Sequence, residues 1–544
     1  MECIRDCPAG LIRMHNREAS EARLSCETQV KKLQPNAWVV VPGILPRMRR
    51  ALPVLVIAGM FFHCTTASGR TGSLWFVDNA VNGGLHNGTS WKNAWSSFAT
   101  VNWPGIHAGD TLYISGGSSS KTYTELWTIG AGGTAGAPIT IAVDASDPSH
   151  NGTVIFDYDA DGDTSTRVGI TVNQNYVTLS GNVSGANHIQ IINLRNTSHG
   201  RASIGVSGTS NLGVIIDHLT FVNDNNPIRM DAANGVTVRN CRILQLRGDA
   251  GIALNGSSGT WDNNQIHDNY LEPMVNLAIG GPDGIQGSSG ISIYNNIIKE
   301  ITTTTPTSDQ HPDMMQMTGN NLKVYGNEFI NVGDSVFDYD AYANSNPRDI
   351  WIYNNIFRIV TAIDTYPEYF RMYCSSGKIA SITNLKIMNN TFIDNDDDAS
   401  NIRIDTFRGN PTATGNEIKN NIWYNAGRGT STPAFSIDDS SGFTSNSFSF
   451  DANVYFQTSG TTSIRFRGTF YTAPNWIAAN EPHSTTAQPL FVSYSPNNVN
   501  DDLHLQSGDT VAVDHGVSLA TYFTTDKDGV SRSKRTGWVI GAYE

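Results

Sequence analysis

Two short polar phrases carry carboxylates and amides at related positions: Pro282-Asp283-Gly284-Ile285-Gln286 and His311-Pro312-Asp313-Met314-Met315-Gln316. Two carboxylates in one site can divide the work of cleaving a glycosidic bond. One keeps a proton for the leaving oxygen, and the other stays ionised to activate water. Sharing a site drives their pKa values apart, because like charges held close resist joint ionisation. Asp283 and Asp313 are the candidate catalytic pair, with His311, Gln286 and Gln316 placed to orient sugar or proton. Asp249, Asp338, Asp340, Arg348, Tyr366 and Arg371 are candidate substrate contacts in the neighbouring stretches. The same residues could instead abstract a proton from a uronic acid. His311, Tyr339, Arg348 or Arg371 would then serve as base or neutralising group, while Asp249, Asp283, Asp313 and Asp338 hold Ca²⁺.

A separate acidic run, Asp157-Tyr158-Asp159-Ala160-Asp161-Gly162-Asp163, places oxygen ligands at alternate positions with glycine at the sixth. That is the first half of an EF-hand calcium loop. Val168 stands where the closing glutamate would be, so Asp157, Asp159, Asp161 and Asp163 are the expected ligands of a structural Ca²⁺. The histidines and cysteines show no zinc spacing.

Positioning these groups falls to a repeat. An alternating apolar stretch followed by Asn-Asn-x-Ile/Phe recurs seven times between Asn240 and Trp423. The copies end at Ile243, Ile266, Ile298, Phe329, Phe357, Phe392 and Trp423, which lie 23, 32, 31, 28, 35 and 31 residues apart. Repeats of this length mean a stacked architecture, and the alternation around Ile291, Ile293, Val324, Ile352 and Ile387 is strand-like. A short strand cannot bury its apolar face alone, but a stack of them can. An asparagine recurring at one turn suggests an internal ladder, each amide bonding the copies on either side. The expectation is an all-β single-stranded parallel β-helix. Aligned on Ile298 and Phe329, Asp283 and Asp313 fall within one position of each other, which would stack them about 4.8 Å apart. The stretch Thr302–Gln310 interrupts the repeat just before His311, and such insertions become loops on one face.

Composition agrees. The 544 residues include 51 glycines and only 16% charged side chains, as short strands and tight turns require. A net charge of −13 gives no basic footprint for nucleic acid. Cys241 and Cys374 are four or five coils apart, roughly 20 Å, too far for a disulfide, so two buried thiols are expected.

Five segments follow. Residues 1–47 are basic, contain cysteine and lack alternation, reading as a non-native or disordered leader. Residues 48–68 combine Arg49-Arg50, the apolar run Ala51–Phe62 and Thr65-Thr66-Ala67, the order of a secretory signal peptide. Residues 69–137 hold the tryptophans of an aromatic N-terminal cap, 138–500 the β-helix, and 501–544 a second cap ending in Trp538-Val539-Ile540-Gly541-Ala542-Tyr543.

The opening Trp75-Phe76-Val77-Asp78 with Gly88-Thr89-Ser90-Trp91, the Asn-Asn-x-Ile/Phe coils, and the ending Asp526-x-Asp528-Gly529 resemble the secreted right-handed parallel β-helix proteins of the pectate-lyase-like superfamily. The paired aspartate phrase is similar to that of the polygalacturonase-type hydrolases, with Pro312 in place of one aspartate and without their later Gly-His-Gly and Arg-Ile-Lys phrases. The resemblance implies a right-handed helix and a secreted or periplasmic enzyme acting on a polysaccharide. It favours carboxylate-driven hydrolysis, ahead of a calcium-dependent lyase or epimerase and of a non-catalytic carbohydrate-binding or adhesin solenoid. A polysaccharide is the expected partner. No membrane contact is expected once the leader is removed, and the chain is expected to be a monomer.

Overall fold

A computed structural model describes residues 72–544 apart from 159–167, 195–201, 208–211, 232, 247–249, 256–262, 273–276, 281–288, 302–312, 341–345, 361–367, 374–380, 396–399, 405–411, 431, 438–445, 497 and 533–535. The expected leader and signal peptide at 1–68 lie outside the described residues, as does Cys374.

Each coil contributes one strand to each of three parallel sheets, which hold 13, 12 and 13 strands among the described residues. Sheet A runs from Leu74–Val77 to Phe448–Asp451, sheet B from Ser120–Tyr123 to Val454–Phe456, and sheet C from Trp127–Ile129 to Ser463–Phe466, closed by an antiparallel strand Thr469–Thr472. The expected parallel β-helix is present, but its bounds differ. Parallel pairing already joins Leu74–Val77 to Thr111–Ile114 inside the segment assigned to the cap; its last strand ends at Phe466, and a single parallel bridge from Val454 to Thr485 follows.

The period of two does the sorting. In sheet A the register carries Ile266 onto Ile293, Val324, Ile352, Ile387 and Ile418, all turned inward and almost wholly buried. Each such side chain contributes about 1.5–3 kcal/mol by leaving water. Inside sheet B, Phe329, Phe357, Phe392, Trp423 and Tyr455 stack with centroids 5.1, 4.7, 5.3 and 5.0 Å apart.

Sheet A passes to sheet B through a two-residue turn. Its first residue is left-handed (Asn295, Asn354, Asn389 and Asn420 have φ of 52–57°, Gly326 67°), a conformation that asparagine and glycine tolerate. Its second residue is buried and forms the ladder. Nδ2 of Asn269 donates to Oδ1 of Asn296 at 3.0 Å, and the pattern continues through Asn327, Asn355, Asn390, Asn421 and Asn453 at 2.9–3.3 Å. Each Oδ1 also accepts the backbone N–H of the preceding rung, as at Asn296 and Asn327. Two of the seven sequence copies need correction. Asn263-Asn264 enters sheet A at a different corner, where Asn264 Oδ1 accepts the Val236 N–H at 2.9 Å; the rung of that coil is Asn269. In the first copy a thiol occupies the rung: Cys241, buried and free, donates its backbone N–H to Asn269, and burial pushes its thiol pKa up to about 12.

The last rung meets a buried carboxylate. Glu481 accepts Asn453 Nδ2 (3.0 Å), Tyr455 Oη (2.8 Å), Ser484 Oγ (2.5 Å) and Trp476 Nε1. It follows the helix Ala473–Asn480, whose buried Trp476 packs edge-on against Phe435, Phe450 and Phe466. This helix covers the final coil. The expected C-terminal cap does something else: residues 490–544 run back along the outside of the stack. Asn354 and Asn389, left-handed turn residues, donate to the carbonyls of Thr525, Val539 and Gly541, and Asn420 donates to that of Val517. Phe491, Leu503 and Ile540 lie on the outward-facing Ile356, Ile393, Ile422 and Val454 of sheet B. At the other end, Phe98 stacks on Trp127 at 4.2 Å beneath the three short 3₁₀ turns between Trp91 and Gly105.

Candidate active site

From Thr237–Arg239 onward the two-residue turns leave no room for function at the A–B corner. In those coils long connections flank sheet C: 302–314 before Met315–Met317, 341–349 after Ser335–Asp340, and 360–367 before Glu368–Tyr373. On these three strands Met315, Phe337 and Phe370 are in register and buried in the core, so Gln316, Asp338 and Arg371, one residue on, line up on the outer face.

Arg371 organises the cluster. Its Nη2 lies 2.9 Å and its Nε 3.2 Å from the two oxygens of Asp338, a bidentate pair, and its Nη1 lies 3.0 Å from Asp334. Glu368 approaches Nε at 3.8 Å. Burial works against the guanidinium charge, but the carboxylates of Asp338, Asp313 and Asp334 hold its pKa above the ordinary arginine value. Asp313, at the mouth of the strand before, accepts the Ser335 N–H on Oδ1 at 2.8 Å, while its buried Oδ2 has no hydrogen-bond partner among the described residues. Full burial and then the nearby charge of Asp338 raise the Asp313 pKa well above the usual carboxylate range. Four carboxyl groups thus gather around Arg371. Asp313 and Asp338 are wholly buried, whereas the Arg371 and Asp334 side chains are 13% and 21% exposed, which marks the side facing solvent.

Of the residues picked from sequence, Asp313, Asp338 and Arg371 come together, with Gln316 next to Asp338 in register. Asp249, Asp283, Gln286, His311 and Tyr366 lie outside the described residues, as do Asp159, Asp161 and Asp163 of the expected calcium loop. The expected pairing of Asp283 with Asp313 therefore falls outside the described residues; the described carboxylate whose charge acts most on Asp313 is Asp338, one coil later. Asp340 closes its strand opposite Tyr373. Arg348 is exposed, with its backbone N–H on Asn320 Oδ1 at 2.9 Å, and it bridges to Thr383 instead of joining the cluster. Tyr339 faces inward and donates to the carbonyls of Thr318 and Gly319, both at 3.0 Å. Asp157 ends a sheet B strand and accepts Asn193 Nδ2 at 3.4 Å. Asp334, Ser335 and Glu368 are site neighbours that the choice of catalytic residues passed over. The signal was Gly333-Asp334-Ser335 at a strand entry, where Ser335 takes the place Asp313 holds one coil earlier and Asp334 precedes it.

A family model described as right handed beta helix region matches residues 181–357. No match was found among curated proteins. Among solved structures, a lacto-N-biosidase of family GH136 from Eubacterium ramulus is similar at 14% identity and a TM-score of 0.42, over 67% of this chain and 65% of that one; the chain thus spans a little under two thirds of that enzyme. The pectate lyase Pel9A gives 13% and 0.44 over 87% and 96%, and the surface adhesin PfbA of Streptococcus pneumoniae 13% and 0.42 over 71% and 94%. At this level the likenesses carry no argument about chemistry. The family match and the three-sheet coil agree on the architecture, a right-handed parallel β-helix.

Proposed function

We propose that the chain is a secreted carbohydrate-active enzyme that hydrolyses glycosidic bonds at the Asp313–Asp338–Arg371 cluster. The supporting observation is the contrast between two neighbouring carboxyls. Asp313 is buried, pushed toward its protonated form and left with an uncommitted oxygen, while Asp338 is held bidentate by Arg371. Asp313 then acts as general acid toward the leaving oxygen. Asp338 stays ionised to stabilise the positive charge that builds on the sugar or to activate water. Glycan approaches from the Asp334 and Arg371 side, and Gln316 orients it.

Elimination on a uronate fits less well. It needs a cation to neutralise the sugar carboxylate, yet Nε, Nη1 and Nη2 of Arg371 all face the protein's own carboxylates, and Tyr339 is committed to two carbonyls. We also propose that Asp157, Asp159, Asp161 and Asp163 hold a structural Ca²⁺ and that export removes residues up to about Ser68. Among the described residues no helix is long and apolar enough to cross a membrane. The test is product chemistry on a polysaccharide panel. Hydrolysis yields new reducing ends without ultraviolet absorbance, and absorbance from a conjugated unsaturated uronate would replace this reading with elimination.

A further inference from the structure

The outer face of sheet C has a second concavity, of about 340 Å³, at its first strands. Trp103, Leu126, Thr128, Val168 and Thr171 line it, with Phe98 and Trp127 behind. Its rings are fixed. Trp103 lies within 8° of parallel to Trp127 at 6.3 Å, and Trp127 stacks on Phe98. Trp103 also lies on Gly130, where an added Cβ would come within 2.7 Å of the indole Cγ, so only glycine lets the ring settle flat there. Trp103 remains partly exposed and Leu126 is 40% exposed, beside two threonines that are also partly in water. A rigid indole edged by hydroxyls suits a pyranose ring, whose C–H face is apolar and whose rim is polar.

The concavity shares its row with the carboxylate cluster. From Thr128 the register runs through Thr171, Gly205, Arg229, Ala253 and Gly280 to Gln316 and Asp338. Seven steps of about 4.8 Å separate the two ends, roughly 34 Å, a span that only an extended glycan bridges. We infer that the Trp103 concavity is a remote subsite that stacks one pyranose ring of the polysaccharide cleaved at the cluster. The inference rests on the glycan reading above.

Affinity electrophoresis of the full chain through gels containing hydroxyethylcellulose, arabinoxylan, polygalacturonate or alginate tests it. Retardation of the wild type in at least one gel is expected. Trp103→Ala should weaken that binding at least fivefold, as should Thr171→Arg, which fills the concavity from its polar rim without touching the Phe98–Trp127 stack. Trp103→Phe should keep most of it. Asp313→Asn should remain retarded whether or not it is active, so the subsite and the cleavage reading fail separately. No retardation of the wild type in any of the four gels, or unchanged retardation in both Trp103→Ala and Thr171→Arg, overturns the inference.

Discussion

Replacing Asp313 by Asn separates its proton from its shape. The amide keeps an oxygen for the Ser335 N–H and fills the same volume, so packing is preserved, but the group no longer titrates. The folded-state pKa of Asp313 is raised above its unfolded value, chiefly by burial and next by Asp338. The folded protein therefore binds this proton more tightly than the unfolded chain. The stability gained is fully present below the unfolded pKa, near 4, and is lost as pH rises toward the folded one. In that window the wild type should lose about 1.4 kcal/mol per pH unit relative to Asp313→Asn. Asp224, whose pKa burial pushes up to about 7, titrates in the same range and cancels in the difference between the two proteins. Urea unfolding of both from pH 4.5 to 7.5 measures it. Turnover of Asp313→Asn should fall by about 10²-fold or more, the usual contribution of a positioned acid. Parallel stability curves would mean that Asp313 is ionised like an ordinary carboxylate, and the proposed proton donor would be lost with it.

Arg371→Met should destabilise the protein by about 3–5 kcal/mol, because the buried Asp338 would lose its bidentate partner, whereas Arg371→Lys should fold but lose activity, since an ammonium cannot hold Asp334 and Asp338 in one fork; urea titration and a reducing-end assay distinguish the two. Asn390→Ala removes an oxygen that accepts two N–H groups and an amide that donates to Ile352 and Asn421, so a loss of about 3 kcal/mol or more is expected in denaturant unfolding. Calcium removal should lower the melting temperature, and Asp159→Ala with Asp161→Ala should abolish that response; equal melting of the wild type with and without chelator removes the metal from the account.

The stack was legible because its cause is local. Alternation at Ile291 and Ile293 and a left-handed asparagine beside a buried one are written into each coil, and neither depends on distant residues. Register was less legible. Asn263-Asn264 looks like the other copies, yet nothing in the pair says whether it enters a strand or leaves one. Counting back from Ile298 and Phe329 aligns Asp283 with Asp313, whereas the sheet C register pairs Ile279 with Met315, because the connections between sheets C and A differ in length from coil to coil. Arg371 was visible only as a loop cation, because Asp334 and Asp338 come from the coil before it and Asp313 from the coil before that. The outer segment 490–544 did leave a trace. The x of Asn-Asn-x is isoleucine in three copies, Ile297, Ile356 and Ile422, and the last two lie under that segment.

The hooks at Asn354, Asn389 and Asn420 also set an order of events. A coil stack built only on neighbour contacts can form from one end as it is synthesised, each coil resting on the one before. Here the outward isoleucines of sheet B stay bare until residues 490–544 have been made and can fold back across them. Translation thus opens an interval in which a nearly complete stack presents a sticky flank to other chains. Once the segment docks, those coils are tied into one block that should come apart together instead of fraying singly from the end.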